Sequence, residues 1–291
     1  MNIVFVGVGA MGAPMAACIA RAGHAVTVYD RSHEQAAKVA ADHACHAASG
    51  IDELGLADFV VTMLPTGQIV RDLYLREGLA LQLRRGTIAI DMSSSSPTGT
   101  RDLGAALGPF GITLLDAPVS GGVPRAALGT LTIMIGGDDP AAIERARPLL
   151  RTMGDRLFDT GGLGSGHAMK ALNNFVAAAS FAACAEALLA GQRFGLDPKR
   201  MVEILNVSTG RNFHTDLVLQ EHVVEGKFAS GFQLGLLAKD VKIAAELARD
   251  VRLDAPLVQL ISQRFDAARD ALGYARDHTE AIKAWDANGP E

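Results

Sequence analysis

An α/β sheet domain followed by an all-α domain is the fold class this sequence predicts, and three observations predict it. Short β-branched runs alternate with Ala-rich helical segments through the first half. Those runs stop after about Gly164, and a glycine cluster, "GVGAMGAP", closes the first of them. With 291 residues, 49% of them hydrophobic, the chain can bury a core in each of two domains, bounded here as 1–163 and 164–291.

In order, the predicted strands are Asn2 to Val6, Ala25 to Asp30, Phe59 to Met63, Thr87 to Asp91, Ile112 to Asp116, Leu131 to Ile135 and Arg156 to Asp159. Several end in Gly, Ser or Asp before a helix-like pattern, which argues for repeated βαβ units and a largely parallel, doubly wound sheet. The helices that follow are a long one from about His167 to Phe194, one opening at "DPKRMVEIL" with Asp197 as N-cap and Pro198 in the first turn, and two near Leu237 to Arg249 and Pro256 to Leu272. With no long polar linker, the long helix makes the connection between the domains.

Other classes lose ground on simple grounds. Lys plus Arg number 27 against 32 Asp plus Glu, a formal charge of -5 without a basic tract, which argues against nucleic acid as a partner. Cys18, Cys45 and Cys184 are odd in number and lack a C-x-x-C spacing, so neither a disulfide framework nor a zinc site is expected, and a reducing cytoplasm fits. The eight histidines show no H-x-x-x-H or H-E-x-x-H spacing, so no metal is expected. Phe175 to Gln192, "FVAAASFAACAEALLAGQ", approaches the length of a membrane span. It contains Glu186 and follows Lys170, Asn173 and Asn174, so a helix buried within protein is expected and no membrane partner. The N-terminal run lacks a positively charged lead and ends at glycine, so it reads as a strand and not as a signal peptide.

In a strand-turn-helix setting each glycine of the cluster has a mechanical task. Gly7 permits the tight turn, Gly9 lets the backbone approach a pyrophosphate, and Gly12 lets the helix pack on the strand. The helix N-terminus then offers N–H groups and a positive dipole end to phosphates. The second strand ends at Asp30, where a carboxylate would accept hydrogen bonds from the adenosine ribose. Asp30 would repel a 2′-phosphate, whereas Arg31 and Ser32 stand where one could be gripped; the cofactor is NAD or NADP, with NAD favoured.

Four further stretches complete a pattern: "DMSSSSP" (Asp91 to Pro97), "DAPVSGG" (Asp116 to Gly122), "GSGHAMKALNN" (Gly164 to Asn174) and "LAKD" (Leu237 to Asp240). With "GVGAMG", the set resembles the β-hydroxyacid dehydrogenase family over almost the whole chain. That family includes 3-hydroxyisobutyrate dehydrogenases, tartronate semialdehyde reductases and glyoxylate/succinic semialdehyde reductases. The resemblance implies a Rossmann-type domain followed by an all-α domain, and hydride transfer between NAD(P) and a small 3-hydroxy acid or its semialdehyde. It implies Lys170 as the catalytic lysine, Asn174 one helical turn on as its neighbour toward substrate, and Ser120, Gly121 and Gly122 as the loop for the substrate carboxylate. Ser94 stands near cofactor and substrate, where family members often carry threonine. Ala10, Met11, Leu64 and Pro65 join the glycines, Asp30 and Arg31 at the cofactor, and Phe232, Lys239 and Asp240 belong to its nicotinamide end.

The chemistry is consistent with these residue types. A carbinol hydroxyl must lose a proton as its carbon loses hydride, and an amine near neutrality can take that proton and return it. His167 reads as a polar residue of the helix's first turn, and Asp116 as a brace for its loop. In "STGRNFHTDL", Arg211, Asn212 and His214 could meet a polar substrate tail and Phe213 an apolar one, or each could be structural; many family members carry tryptophan here, whereas Trp285 is the only one in this chain. Imine reductases share the fold but generally lack the lysine, so Lys170 counts against that reading. A non-catalytic dinucleotide-binding module is disfavoured by the same residue and by Asn174. The apolar long helix needs more cover than one small domain supplies, which predicts a homodimer or homotetramer.

Overall fold

The computed structural model describes residues 1–286. Backbone contacts divide the chain into two compact units, Met1–Lys170 and a second beginning at Ala171.

The first unit is a sheet of nine strands among the described residues. They are β1 (Asn2–Val6), β2 (Ala25–Tyr29), β3 (His46–Ala47), β4 (Phe59–Thr62), β5 (Ile88–Asp91), β6 (Thr113–Asp116), β7 (Val119–Ser120), β8 (Leu131–Gly136) and β9 (Gly154–Gly161). Their order is β3-β2-β1-β4-β5-β6-β8-β7, with β9 paired to β8. The first six run parallel, β8 lies antiparallel to β6 and β7, and β9 is parallel to β8. Residues 121–130, between β7 and β8, are fewer than the dozen or so a parallel crossover needs, so the chain returns antiparallel.

Alternation along the strands divides the core into two layers. Ile3, Phe5, Val61, Ile88 and Ile90 pack on one side with Met15, Ile19 and Leu149 from helices. Val4, Val6, Val60, Ala89 and Leu114 pack on the other with Leu73, Tyr74 and Leu103. Cover on both faces explains why "NIVFV", "FVVT" and "IAID" are almost continuously apolar.

The second unit is built on the rest of the long helix Ser165–Phe194, with helices Pro198–Asn206, Leu234–Asp250 and Pro256–Leu272. Ala178, Phe181, Ala182, Ala185 and Leu188 recur at helical spacing and pack with Leu234, Leu237, Val241, Ile261 and Phe265. By length and composition the long helix could cross a membrane, yet this seam is protein core; Leu172, Val176 and Phe194 are exposed. Asp197 caps its helix through the Lys199 N–H with Pro198 in the first turn. Two-residue strands β3 and β7, and the short pieces Phe213–Leu217, Leu219–Val224, His278–Glu280 and Ala281–Trp285, have no counterpart among the predicted elements.

Candidate active site

The glycine turn follows β1. Gly7 has φ +91°, and a side chain there would collide with the Met63 carbonyl and meet Leu64; one at Gly12 would collide with the Gly7 carbonyl. These two glycines are demanded by the fold itself. Gly9 is different, since a Cβ there meets no protein atom within 4 Å, so its backbone is open to the approach of a ligand. The helix it introduces, Gly12–Arg21, has no side-chain N-cap bond and no acid in its first turn, which leaves a positive dipole end suited to phosphate. Ala10 is exposed, and Met11 packs against the sheet core.

Asp30, just beyond β2, is held from both sides. Its Oδ2 accepts the Val8 N–H at 2.9 Å and its Oδ1 the Ser32 N–H at 2.9 Å, while Gln35 Nε2 donates to the Val8 carbonyl at 2.9 Å. A carboxylate has about four acceptor sites, so capacity remains for ribose hydroxyls. Arg31 is exposed and pairs with Glu77 at 2.5 Å. A glycine turn with an open face, an uncapped helix and a pinned acid together fit a dinucleotide.

Beyond β4, the Leu64 N–H donates to Ser93 Oγ at 2.9 Å, with exposed Pro65 next. Asp91, buried at the end of β5, gathers its own loop: Thr62 Oγ1 at 2.9 Å, the Ser93 N–H at 3.1 Å and Ser95 Oγ at 2.7 Å all donate to it. Ser96 caps the next helix. Ser93, Ser95 and Ser96 thus serve the loop's structure, and Ser94, the fourth serine, is half-buried.

Asp116, at the end of β6, is fully buried and acts as a brace. Its two oxygens accept the Gly164 N–H at 2.7 Å and the His167 N–H at 2.8 Å, which ties the start of the long helix to the sheet and places negative charge at its N-terminus. His167 is buried too. Thr100 donates its hydroxyl to the Ser96 carbonyl, so the 2.8 Å contact between Thr100 Oγ1 and His167 Nδ1 has the ring nitrogen as donor. Nε2, without a hydrogen bond, lies 3.7 Å from Asp91 Oδ2. Half-buried Lys170 follows one turn later. Ser120 is half-buried in β7, and Gly121 and Gly122 behind it have φ of +137° and +67°, backbone that side chains other than hydrogen rarely tolerate.

In the second unit Asn174 is buried and its amide is fixed in orientation. Its Nδ2 donates to Asp240 Oδ2 at 2.6 Å, and since a carboxylate only accepts, the NH2 must face it; Asn173 donates to its Oδ1 at 3.1 Å. Lys239 Nζ stands 3.0 Å from Asp240 Oδ1, an ion-pair contact and not an aligned hydrogen bond. Phe232 is half-buried against the helical core, and its carbonyl accepts the His278 N–H at 2.9 Å.

The "STGRNFHTDL" stretch divides clearly. Arg211 pairs with Asp216 at 2.9 Å, and Asn212 caps the short helix through the His214 and Thr215 N–H groups. His214 is buried beside Phe181, and burial first, then nearby His278, pushes its pKa down to about 4. Phe213, 63% exposed, presents its ring outward.

The cofactor-side positions of the first unit thus gather at the C-terminal ends of β1, β2, β4 and β5, the edge where open α/β sheets bind ligands. Thr62 and Glu77 stand outside every motif of the sequence. "DMSSSSP" carried a signal for the serines, but nothing in the sequence ties Glu77 to Arg31, 46 residues away. Among the described residues no group of three or more His, Cys, Asp or Glu could hold a metal ion.

Comparison with known proteins places the chain in a family. Residues 2–162 match a family model described as the NAD binding domain of 6-phosphogluconate dehydrogenase, and residues 164–285 one described as NAD-binding of NADP-dependent 3-hydroxyisobutyrate dehydrogenase. The chain is 34% identical to 2-(hydroxymethyl)glutarate dehydrogenase of Eubacterium barkeri, over 98% of this chain and 95% of that protein. It is 37% identical to NAD-dependent L-serine dehydrogenase of Pseudomonas aeruginosa, over 89% of each. The solved structure of Mycobacterium tuberculosis 3-hydroxyisobutyrate dehydrogenase with L-serine superposes with a TM-score of 0.89 at 33% identity, covering 98% of this chain and 99% of that one. Two family models that together span nearly the whole chain, and relatives matched almost end to end, establish that it belongs to the β-hydroxyacid dehydrogenase family of NAD(P)-dependent oxidoreductases.

Proposed function

We propose that this enzyme oxidises the primary alcohol of a 2-substituted 3-hydroxypropanoate to the semialdehyde, or reduces the semialdehyde, with NAD favoured over NADP and Lys170 as general acid and base. The observation that carries the proposal is the brace at the long helix. Asp116 and His167 pin its first turn to the sheet, so Lys170 is presented from a rigid turn, one turn before Asn174.

When bound, the nicotinamide supplies the hydride acceptor for the carbinol carbon in oxidation and the donor in reduction. Lys170, as the amine, takes the hydroxyl proton as that carbon becomes a carbonyl, and as the ammonium returns it in reduction. Asn174 retains one amide N–H beyond the bond to Asp240, which can donate to the same oxygen. Ser120, Gly121 and Gly122 receive the substrate carboxylate, and Phe213 meets the substituent on C2. At the cofactor, Gly7, Gly9, Ala10, Met11 and Gly12 serve the pyrophosphate and Asp30 the ribose. Leu64, Pro65 and Ser94 also serve the cofactor, and Phe232, Lys239 and Asp240 serve its nicotinamide.

The substrate class rests on chemistry shared by the relatives' names. 2-(Hydroxymethyl)glutarate, L-serine and 3-hydroxyisobutyrate are all 3-hydroxypropanoates that differ at C2. A cytoplasmic location accords with three unpaired thiols, Cys18, Cys45 and Cys184. A homodimer or homotetramer through the helical part accords with exposed Val176, Phe194, Val207 and Leu257. Initial rates of nicotinamide reduction over these three acids, glycerate and 4-hydroxybutyrate test the reading. Turnover confined to the 3-hydroxypropanoates supports it, and a preference for 4-hydroxybutyrate overturns the substrate class.

A further inference from the structure

The charges behind β2 implicate a residue outside the dinucleotide fingerprint. Arg31 is the cation next to Asp30, and its Nη2 meets Glu77 Oε1 at 2.5 Å; Glu77 lies just past the helix Gly67–Leu75. Asp30 is fixed by the Val8 and Ser32 N–H groups, so it cannot swing aside without abandoning both. A 2′-phosphate on the adenosine ribose needs a cation beside it and meets Asp30 as a like charge. Arg31 is the cation at hand, and a carboxylate already neutralises it.

We propose that Glu77 is a specificity-determining residue: by holding Arg31 in an ion pair it withholds the guanidinium from a 2′-phosphate, and with Asp30 it selects NAD. The inference deepens the NAD preference stated above and rests on the dinucleotide site alone, whatever acid the enzyme oxidises. Arg31 is 68% exposed at its side chain and Glu77 33%, so the pair is weak and screened by salt. Its release therefore changes discrimination by about two- to fivefold, not by orders of magnitude.

The test is the ratio of dissociation constants for NADPH and NADH, read from reduced-nicotinamide fluorescence at low salt for the native chain, Glu77→Gln, Arg31→Ala and the double variant. Glu77→Gln is expected to tighten NADPH relative to NADH by about two- to fivefold, and to do nothing to that ratio once Arg31 is alanine. An unchanged ratio in Glu77→Gln overturns the proposal. So does a gain that persists in full without Arg31, because Glu77 would then act through its own charge alone. Binding is read without turnover, so inactivity on every hydroxy acid would sink the substrate reading and leave this one standing.

Discussion

Gly9 and Gly12 show how a single missing side chain can serve either the fold or a ligand. A methyl group at Gly12 has no room beside the Gly7 carbonyl, whereas at Gly9 it meets nothing. Gly12→Ala is therefore expected to destabilise the chain by about 1–3 kcal/mol. Gly9→Ala should shift stability by less than about 0.5 kcal/mol yet weaken NADH binding by about tenfold or more, by filling the approach of the pyrophosphate. Urea titration with a parallel binding curve separates the two effects, and equal stability losses would refute the assignment. The same scale shows what is legible in a sequence. Gly7, Gly9, Gly12 and Asp30 are readable because local geometry dictates them at fixed spacing. Glu77 beside Arg31, and His167 between Asp91 and Asp116, come from residues far apart in the chain that only the folded sheet brings together.

At the scale of elements, long periodic segments were predictable and short ones were not. β1, β2, β4, β5, β6 and β8 each carry an apolar or alternating run, and the helix Pro256–Leu272 has the bounds expected for it. β3 and β7, of two residues each, carry no pattern and exist through pairing with β2 and β8. The short helix Phe213–Leu217 is set by Asn212 capping, and it carries His214 into the core. Burial there has a measurable consequence. His214 titrates near 4 in the folded chain, against about 6.5 when unfolded, so the unfolded state binds the proton first as pH falls. Stability is whole above about pH 6.5 and is lost progressively down to about pH 4, by up to about 3 kcal/mol. Burial also lowers the His278 pKa, which adds loss in the same direction. His214→Phe is expected to lose less stability than the native chain between pH 7 and pH 5, as read by urea midpoints. An identical pH dependence would show that His214 does not carry the effect.

For the whole molecule, the described residues form two units with separate cores, and the long helix Ser165–Phe194 begins in the first and continues in the second. The apolar side chains exposed on that helix and its neighbours lead to the expectation of a dimer or tetramer by light scattering at micromolar concentration. A monomer would contradict it. The central claim is that one side chain, Lys170, moves the proton while the rest of the chain binds and orients. Its most direct test is kcat for Lys170→Ala on whichever 3-hydroxy acid the native enzyme turns over, with the NADH dissociation constant measured alongside. The account predicts that kcat falls by about 10²- to 10⁴-fold while NADH binding stays within about twofold. A kcat within about tenfold of native would contradict it and move the proton to another group.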